Sequence, residues 1–442
     1  MSVSPARAAA FAILLRVQRE DAYASELLNR PGQAKLSAAD QRLATELVMG
    51  TLRWQSLIDQ EIAGHSSQRM EKLDAEVLVS LRMAAYQLLF LSRVPGHAAV
   101  HESVELVKSA RKVSAAGFVN AVLRKLAGSA AKGPPEISLA TSPTELAQRS
   151  AHPLWLVERW ERELGLSAAR AICEYDQQVP QAAIRLNSGE AERELLQEGI
   201  QLAPGALLAS ARRVQSGEIT KSRACREMRV TIQDEASQLV ALMVGHGRRI
   251  LDCCAAPGGK TRMLAGGNPE SEITAVELHP HRARVLRKLV AQKNVRILVG
   301  DVANIPVTGS FDRVLADVPC SGTGTLARNP EIKWRLKAED IVQLHKRQFT
   351  ILRAAMQRVE RGGRLVYSTC SLEREENQQV VERALAAEPS FVLRDCKEEL
   401  ERLRADGELT VQPDTLLSGF YLRTIPGLHR CDGFFAAVLE KR

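Results

Sequence analysis

From about residue 231 the sequence alternates between short apolar runs and amphipathic helical stretches. Helical periodicity at 280–293 and 340–360, for example, separates runs that end in polar residues. The five runs are Arg249–Asp252, Ile273–Glu277, Arg296–Asp301, Arg313–Asp317 and Arg364–Thr369. Such an alternation predicts a mostly parallel sheet with helices on both faces. Because ligands of these sheets bind beyond the carboxyl ends of the strands, we expect the chemistry of the chain at the ends of these runs.

The rest of the chain divides into two parts with different periodicities. Residues 1–130 show helical spacing of apolar side chains, with a capping box at Ser37 to Asp40, and predict an all-α bundle. Gly, Ser and paired prolines from Gly128 to Pro135 mark a boundary. Residues 140–230 predict a small α/β domain, followed by the sheet domain over 231–442. Within the small domain the strand candidates are 182–187, 206–210 and 228–232, and the helix candidate is 191–200.

The composition is that of a globular protein with a positive charge. Lys and Arg number 60 against 52 Asp and Glu, which gives a net charge of +8 and a pI of about 9.1. This balance fits a polyanion partner, although many basic proteins have no such partner. No apolar run is long enough to span a bilayer and no signal-peptide pattern is found, so we expect a cytoplasmic protein without a membrane partner. The eight cysteines form no CxxC pair, so we expect reduced thiols and no metal site.

A glycine turn follows the first apolar run of the sheet domain. After Asp252, Gly258-Gly-Lys260 lets the backbone approach a ligand closely, and the next helix presents its N–H groups there. Neither a dinucleotide fingerprint nor a Walker A motif is present. Glu277 can accept from ribose hydroxyls and Asp301 from an adenine amino group, although each acid alone can equally cap a helix. Together these residues indicate an adenosine cofactor without a pyrophosphate, and S-adenosylmethionine fits best.

Two cysteines stand just beyond the ends of later runs, in Asp317-Val-Pro-Cys-Ser321 and Ser368-Thr-Cys-Ser371. Carbon 5 of cytosine is a poor nucleophile until a thiolate adds to carbon 6 and breaks the aromaticity of the ring. A second group must then remove the proton from carbon 5 before the thiol is expelled. Cys320 and Cys370 can fill these two roles, whereas an arbitrary pair of cysteines would more often be buried structural thiols. Asp317 can pair with the cytosine N3 and amino edge, and Lys260 can lower the pKa of a nearby thiol.

For two further segments the sequence is compatible with two alternative roles each. Arg282, Arg284, Arg287 and Lys288 form a basic helix face that fits either phosphate contact or solvation. Asn329 to Trp334 looks like an exposed loop, which either grips a nucleotide or covers the edge of the sheet.

Taken together, the motifs resemble those of bacterial 16S rRNA cytosine-5 methyltransferases of the RsmB (Sun/Fmu) type. The similarity spans nearly the whole chain. In the sheet domain it rests on Asp252 to Lys260, Pro319 to Ser321, Asn329 to Trp334, Tyr367 to Ser371, Glu375 to Asn377 and Asp432 to Phe435. In the N-terminal part, Leu43 to Gly50, Tyr86 to Leu89 and Pro95 to Ala99 resemble the antitermination factor NusB.

The resemblance implies a multidomain fold and a set of roles. It implies a NusB-like all-α RNA-binding bundle over 1–130, an RNA-recognition-like α/β linker domain over 140–230, and a Rossmann-like class I methyltransferase domain over 231–442. Cys370 would be the nucleophile and Cys320 the thiol that assists product release. The implied cofactor contacts are Cys254, which the pattern alone favours as packing, and Ala255, Ala256, Pro257, Gly258, Gly259, Lys260, Glu277, Asp301 and Asp317.

The same resemblance implies the cofactor and the partner. The cofactor would be S-adenosylmethionine, and the substrate would be cytosine 967 of 16S rRNA, as naked RNA or in an early assembly intermediate. We expect a monomer. Family members commonly carry Asp where this chain has Glu277, and the longer side chain should still reach the ribose.

Two other functions compete with this one. An amino-group methyltransferase typically presents Asp/Asn-Pro-Pro-aromatic at the fourth strand end, whereas this chain has Val318-Pro-Cys-Ser321 there. An RNA-binding assembly or antitermination factor with a vestigial methyltransferase domain would explain the helical N-terminal part and the positive charge. The presence of both thiols and all three acids argues against such a loss of activity.

Overall fold

The computed structural model describes residues 3–29, 36–129, 133–304 and 309–442, and the chain divides into two compact units. Unit 1 comprises Met1–Val179 and Leu326–Leu336, and unit 2 comprises Pro180–Thr325 and Lys337–Arg442. The predicted boundary at Gly128 to Pro135 falls partly on residues 130–132, which lie outside the described residues. Among the described helices, none combines the length and apolarity that crossing a bilayer requires.

Unit 1 is helical, as predicted for its first 130 residues. Ser37 begins one of its helices by accepting a hydrogen bond from the main chain of Asp40, and apolar side chains such as Leu47, Ile58 and Leu81 are fully buried. The helices are α1 Pro5–Glu20, α2 Ala24–Leu28, α3 Ala38–Arg53, α4 Gln55–His65, α5 Ala75–Phe90, α6 Gly96–Ser109, α7 Ala116–Ser129, α8 Pro143–Arg149, α9 Leu154–Leu164 and α10 Leu166–Asp176.

The segment Leu326–Leu336 packs inside unit 1, so the prediction of an exposed loop at Asn329 to Trp334 is wrong. Lys333 is 2% exposed and donates to the carbonyls of Arg53 and Ala151 at 2.8 and 2.9 Å. Trp334 Nε1 donates to the carbonyl of Leu52 at 2.7 Å. The segment is buried because it supplies donors to the last carbonyls of α3, which have no partner inside the helix.

Unit 2 begins with a small antiparallel sheet. Its strands are β1 Ala183–Leu186, β2 Gln201–Pro204, β3 Ala211–Ser216 and β4 Val230–Ile232, in the order β2-β3-β1-β4, with helices α11 Ala191–Gln197 and α12 Arg223–Arg226. The strand predicted at 206–210 is wrong. The main-chain amides of residues 206–208 donate to the buried carboxylate of Glu235 at 2.7–3.0 Å, which satisfies them without a ladder of strand pairs.

Among the residues that the structure describes, the second sheet of unit 2 has nine strands, in the order β11-β12-β13-β9-β8-β5-β6-β7, with β10 paired to β13. The strands are β5 Arg249–Asp252, β6 Glu272–Glu277, β7 Val295–Val299, β8 Phe311–Asp317, β9 Val359–Thr369, β10 Phe391–Arg394, β11 Leu417–Ser418, β12 Tyr421–Thr424 and β13 Phe434–Lys441. The helices are α13 Glu235–Val244, α14 Gly259–Gly267, α15 Pro280–Leu289, α17 Ala338–Met356, α18 Gln378–Ala387 and α19 Cys396–Ala405; α16 Ile332–Arg335 belongs to unit 1.

The five predicted runs are confirmed as strands β5 to β9, and they pair in parallel. The other four strands pair antiparallel, so the sheet is mixed rather than mostly parallel. Phe434–Lys441 explains the difference because this buried run pairs with β9 and extends the sheet beyond its parallel half. The pairing sets Phe435 opposite Thr369, next to the predicted reaction centre.

Candidate active site

The carboxyl ends of neighbouring parallel strands bring four polar positions to one edge of the large sheet. Asp252 ends β5, Glu277 ends β6 and Asp317 ends β8. Asp317 pairs in register with Ser368, two residues before Cys370. The sequence therefore predicted correctly that these residues share one edge of the sheet.

A glycine turn joins β5 to α14 at this edge. Gly258 has a φ of +121°, a conformation that side chains with a Cβ rarely adopt. A Cβ at this position would also lie 2.9 Å from Leu286 Cδ1 and 3.0 Å from Val290 Cγ2. Glycine is thus required both by the turn and by the close packing of α15, and the turn keeps its backbone accessible to a ligand.

A first cavity, of about 290 Å³, opens beside the ends of β6 and β7. The Glu277 side chain is nearly buried there, and its Oε1 accepts from the main chain of His279 at 2.8 Å. Asp301 also lines the cavity, but it is exposed and lies two residues beyond the end of β7, where its Oδ1 accepts from the main chain of Ala303 at 2.9 Å. Each acid accepts from the main chain two residues further on while it faces the cavity, so a role in the turn is compatible with a place at the cavity.

A second cavity, of about 400 Å³, lies beside the glycine turn. Gly258, Gly259, Lys260 and Asp317 line it, as does Asp252. Cys254 lines both cavities. The two spaces therefore meet at the residue that begins the turn, where an extended ligand would pass from the acid at the end of β6 to the glycines.

Asp252 places a buried carboxylate at the second cavity, and one of its oxygens lacks a hydrogen-bond partner among the described residues. Its carboxylate is 1% exposed, Thr261 donates to Oδ2 at 2.7 Å, and Oδ1 has no hydrogen-bond partner among the described residues. Burial raises the pKa of Asp252 to about 6, and the charge of Asp317 adds to the shift. A buried acceptor without a partner favours a ligand that brings a donor or a positive charge.

These features fit S-adenosylmethionine. The unpaired oxygen of Asp252 suits the cationic amino group of the methionine part, and the carboxylate of Glu277 suits the ribose hydroxyls. The turn from Cys254 to Lys260 offers backbone to both parts. When bound, the cofactor would supply an electrophilic methyl group.

Lys260 and Asp317 form an ion pair between the glycine turn and the end of β8. Lys260 Nζ lies 2.8 Å from Asp317 Oδ2 and 4.9 Å from the centre of the Phe434 ring. The other oxygen of Asp317 accepts from Ser368 Oγ at 2.8 Å. The direct partner of the Lys260 ammonium group is therefore the carboxylate of Asp317 rather than a thiol.

The two thiols predicted at the reaction centre are in contact. Cys320 Sγ and Cys370 Sγ lie 3.2 Å apart, and both residues are partly accessible. The hydrogen bond with Cys370 and the burial of the thiol raise the pKa of Cys320 well above its ordinary value. This direction is opposite to the one that the sequence predicted for a thiol near Lys260. Cys320 is therefore harder to deprotonate than an ordinary thiol, and either sulfur can donate the hydrogen bond between them.

A buried carboxylate supports both thiol-bearing turns. Glu376 is fully buried, and its oxygens accept from Ser321, Ser371 and Gln348. The sequence motif at Glu375 to Asn377 drew attention to this residue but gave it no role, and Gln348 was missed. An amide at a buried position of the amphipathic helix α17 was the available signal for Gln348.

The predicted site residues thus fall into two groups. Lys260, Asp317, Cys320 and Cys370 are linked through the ends of β8 and β9 and the glycine turn. Glu277 and Asp301 line the first cavity, which the turn joins through Cys254. Asp252, which the sequence analysis placed at a strand end and in a motif but to which it gave no role, is a further member of the site.

Comparison with known proteins finds two families. Residues 239–440 match the model of the 16S rRNA methyltransferase RsmB/F family, and residues 4–128 match the NusB family. A probable ribosomal RNA small subunit methyltransferase B from Bacillus subtilis (strain 168) is 31% identical and covers 100% of both chains. Ribosomal RNA small subunit methyltransferase B from Citrobacter koseri is 33% identical over 93% of each chain.

The solved structures add a likeness of fold. PH0851 has a TM-score of 0.81 to this chain, at 24% identity, and the match covers 100% of both chains. The predicted NusB-like bundle and Rossmann-like methyltransferase fold are confirmed. The RNA-recognition likeness of residues 140–230 and the predicted domain boundaries stay predictions.

Proposed function

The chain belongs to the RsmB/F family of S-adenosylmethionine-dependent 16S rRNA methyltransferases, and from this premise we propose that it methylates carbon 5 of a cytosine in 16S rRNA. The resemblance of its motifs points to cytosine 967. We infer that the enzyme acts as a cytoplasmic monomer on naked rRNA or on an early assembly intermediate.

The contact between the two thiols carries the proposal. A methyl group can be placed on carbon 5 only if a nucleophile first adds to carbon 6 and a base later removes the proton from carbon 5. The 3.2 Å separation of Cys320 and Cys370 suits two groups that act on adjacent atoms of one ring. Methylation of an exocyclic amino group needs no thiol, so this pair favours carbon 5 over that alternative.

The pKa of Cys320 supports a division of roles between the thiols. Because the pKa of Cys320 is raised well above its ordinary value, Cys320 is poorly suited to be the attacking thiolate, and we assign that role to Cys370. Cys370 forms the bond to carbon 6. In the release step Cys320 first gives its own proton to solvent and then, as a thiolate, takes the proton from carbon 5. The electrons of that C–H bond form the double bond between carbons 5 and 6, and Cys370 leaves carbon 6 as a thiolate.

Asp317 and Lys260 complete the proposed reaction centre. We assign Asp317 to the N3 and amino edge of the cytosine, where it would stabilise the protonated adduct. Lys260 holds Asp317 through the 2.8 Å ion pair. The proposed cofactor contacts are residues 254–260 with Asp252, Glu277, Asp301 and Asp317.

Replacement of Cys370 tests the nucleophile. The Cys370→Ser variant, incubated with 16S rRNA and methyl-labelled cofactor, should lose at least about a thousandfold in initial rate because a hydroxyl is a far weaker nucleophile at neutral pH. Cys396→Ser, at a buried thiol outside the site, is the matched control. Full methylation by Cys370→Ser would reject the assigned nucleophile.

Replacement of Cys320 tests the release step. Cys320→Ala should form the adduct but fail to resolve it, so a covalent protein–RNA species should accumulate on a denaturing gel. Absence of that species, with cofactor and RNA both bound, would count against the release role. Mass spectrometry of the digested product then distinguishes 5-methylcytosine from its amino-methylated isomers.

A further inference from the structure

Each proposed catalytic thiol is followed in the sequence by a serine, in Cys320-Ser321 and Cys370-Ser371. The hydroxyls of these two serines lie 3.0 Å apart and both donate to the same oxygen, Oε2 of Glu376. One carboxylate oxygen therefore joins the turn after β8 to the turn after β9, directly behind the thiols.

The second oxygen of Glu376 fixes the same two segments from another direction. Oε1 accepts from the main-chain amide of Ser321 at 2.8 Å and from Gln348 Nε2 at 2.7 Å. Gln348 also donates to the carbonyl of Pro319 at 3.0 Å, so the residues on both sides of Cys320 are held. Four donors converge on one buried carboxylate, which is the arrangement in which hydrogen bonds to a charge are strongest.

Glu376 is itself held in place by the strand that leads to Cys370. Its carbonyl accepts from Tyr367 Oη at 2.6 Å, and Tyr367 lies on β9 with its side chain fully buried. The neighbouring Asn377 accepts from Thr369 Oγ1 and donates to the carbonyl of Ser371 at 2.9 Å. The carboxylate is thus carried by a segment that grips the Cys370 turn on both sides.

We propose that Glu376 is a positioning residue that sets the separation of the two thiols by binding the serine beside each of them. The inference rests on the proposed roles of Cys320 and Cys370. Two sulfurs that must reach adjacent atoms of one ring require a fixed spacing, and small displacements of reacting groups are costly. As a positioning residue, Glu376 acts only through the two turns and contacts neither the substrate nor the cofactor.

The first experiment measures the spacing without using the reaction. Diamide, a diazene, takes up two electrons and two protons as Cys320 and Cys370 join in a disulfide, and peptide mass spectrometry follows the linked pair in the full chain. The Glu376→Gln variant keeps the shape of the side chain but loses the charge that holds four donors. It should close the disulfide more slowly, by about fivefold or more, because bond formation requires a narrow range of sulfur geometry.

A matched control separates this effect from a general loss of charge in the interior. Glu235 is equally buried and accepts three main-chain N–H groups, but it lies at residues 206–208 rather than behind the thiols. Glu235→Gln should close the disulfide at the wild-type rate. Should Glu376→Gln fail to fold, Ser371→Ala removes one of the four donors and should slow closure in the same direction.

The second experiment asks whether the spacing matters for turnover. Glu376→Gln should lower kcat by about tenfold with an unchanged KM for RNA, because the positions of the reacting groups change while binding does not. It should also accumulate covalent adduct, which a loss of folded protein would not produce. Wild-type closure by Glu376→Gln overturns the inference whatever the activity. If Glu376→Gln closes the disulfide slowly but the wild-type protein makes no 5-methylcytosine, the proposed function is rejected and the spacing role stands.

Discussion

Lys260 in unit 2 and Lys333 in unit 1 both stand in motifs of the family, and both ammonium groups are largely removed from water. Lys260 has a carboxylate partner, Asp317, at 2.8 Å and keeps a place at the edge of a cavity. The hydrogen bonds of Lys333 go to two main-chain carbonyls, and its Nζ lies 5.2 Å from the centre of the Trp334 ring. A lysine that is paired with an acid beside a cavity can serve chemistry, whereas one that donates to carbonyls at a helix end serves architecture.

The electrostatic environment of Lys333 also reflects its structural role. Burial lowers the pKa of Lys333 to about 7, and the nearby charge of Arg53 acts in the same direction, although Asp176 opposes it. Around Lys333 the segment Leu326–Leu336 also supplies a carboxylate to a helix N-terminus, since Glu331 Oε1 accepts from the main chain of Ala24 at 2.8 Å. One short segment thus caps the beginning of α2 and the end of α3, with charges of the sign that each end favours.

Among the changes that test this contrast between the lysines, the largest expected effect is on catalysis, at Lys260. Lys260→Met should lower the single-turnover rate by roughly 100-fold, because the charge of Asp317 then loses its partner beside the reacting ring. The stability of unit 1 should not change. All four tryptophans of the chain, Trp54, Trp155, Trp160 and Trp334, lie in unit 1, so their fluorescence during urea unfolding reports on that unit alone. A rate within threefold of the wild type would remove Lys260 from the reaction centre.

The converse is expected at Lys333. Lys333→Met should lower the free energy of unfolding of unit 1 by about 2 kcal/mol at pH 9, because it leaves buried carbonyls such as that of Ala151 without a donor. The same tryptophan signal measures this. Lys337→Met, just outside the segment, is the control. No change in the unfolding midpoint would show that the segment only fills space.

The lowered pKa of Lys333 adds a pH dependence with a definite sign. The folded state holds the proton less tightly than the unfolded state, whose lysine has its ordinary pKa near 10.5. Below about pH 7 the lysine is charged in both states and the folded state carries the full cost of the buried charge. As the pH rises from about 7 toward 10.5 the unfolded state binds more protons, so stability is gained. The difference between the wild type and Lys333→Met should therefore widen with pH.

The contrast between these lysines also shows which features could be predicted from the sequence and which could not. The periodic runs predicted β5 to β9 and the polar positions at their ends, because hydrophobic alternation and strand-end chemistry are local properties. The same local rules failed for Asn329 to Trp334, whose charged and polar residues suggested exposure. Their partners are the carbonyls of Leu52, Arg53 and Ala151, which are far away in the sequence. No local sequence pattern predicts that a lysine is buried and caps a distant helix.

The site shows the same limit at Glu376 and Asp252. Both were visible in motifs, but their roles depend on what surrounds them in three dimensions. The role of Glu376 depends on the hydrogen bonds that it accepts from Ser321 and Gln348, which lie 55 and 28 residues away in the sequence. Whether an oxygen of Asp252 lacks a donor depends on the groups that surround it in the folded chain, which the sequence does not specify. The missed strand β13 likewise needed its partner β9 to be recognised as part of the sheet.

A smaller effect is expected on cofactor binding, at Asp252. Asp252→Asn should weaken S-adenosylmethionine by about tenfold in calorimetry, because the amide cannot attract the cationic amino group. Since the pKa of Asp252 is raised to about 6, wild-type affinity should be full above that pH and fall as the pH drops through 6 and the carboxyl is protonated. The variant should show no such fall. Asp312→Asn, at the opposite end of β8, is the control and should bind as the wild type does.

The smallest effect is expected at Glu277, where the family commonly carries the shorter acid. Glu277→Asp should change the dissociation constant of S-adenosylmethionine by less than about threefold, because the acid stays at the end of β6 and keeps its charge. Glu277→Gln, which keeps the length and loses the charge, is the comparison and should weaken binding more, because ribose hydroxyls donate more strongly to a charged acceptor. If the shorter acid bound the cofactor tenfold more weakly while the amide bound it normally, the reach of the side chain would matter more than its charge. The first cavity would then need a different occupant from the ribose.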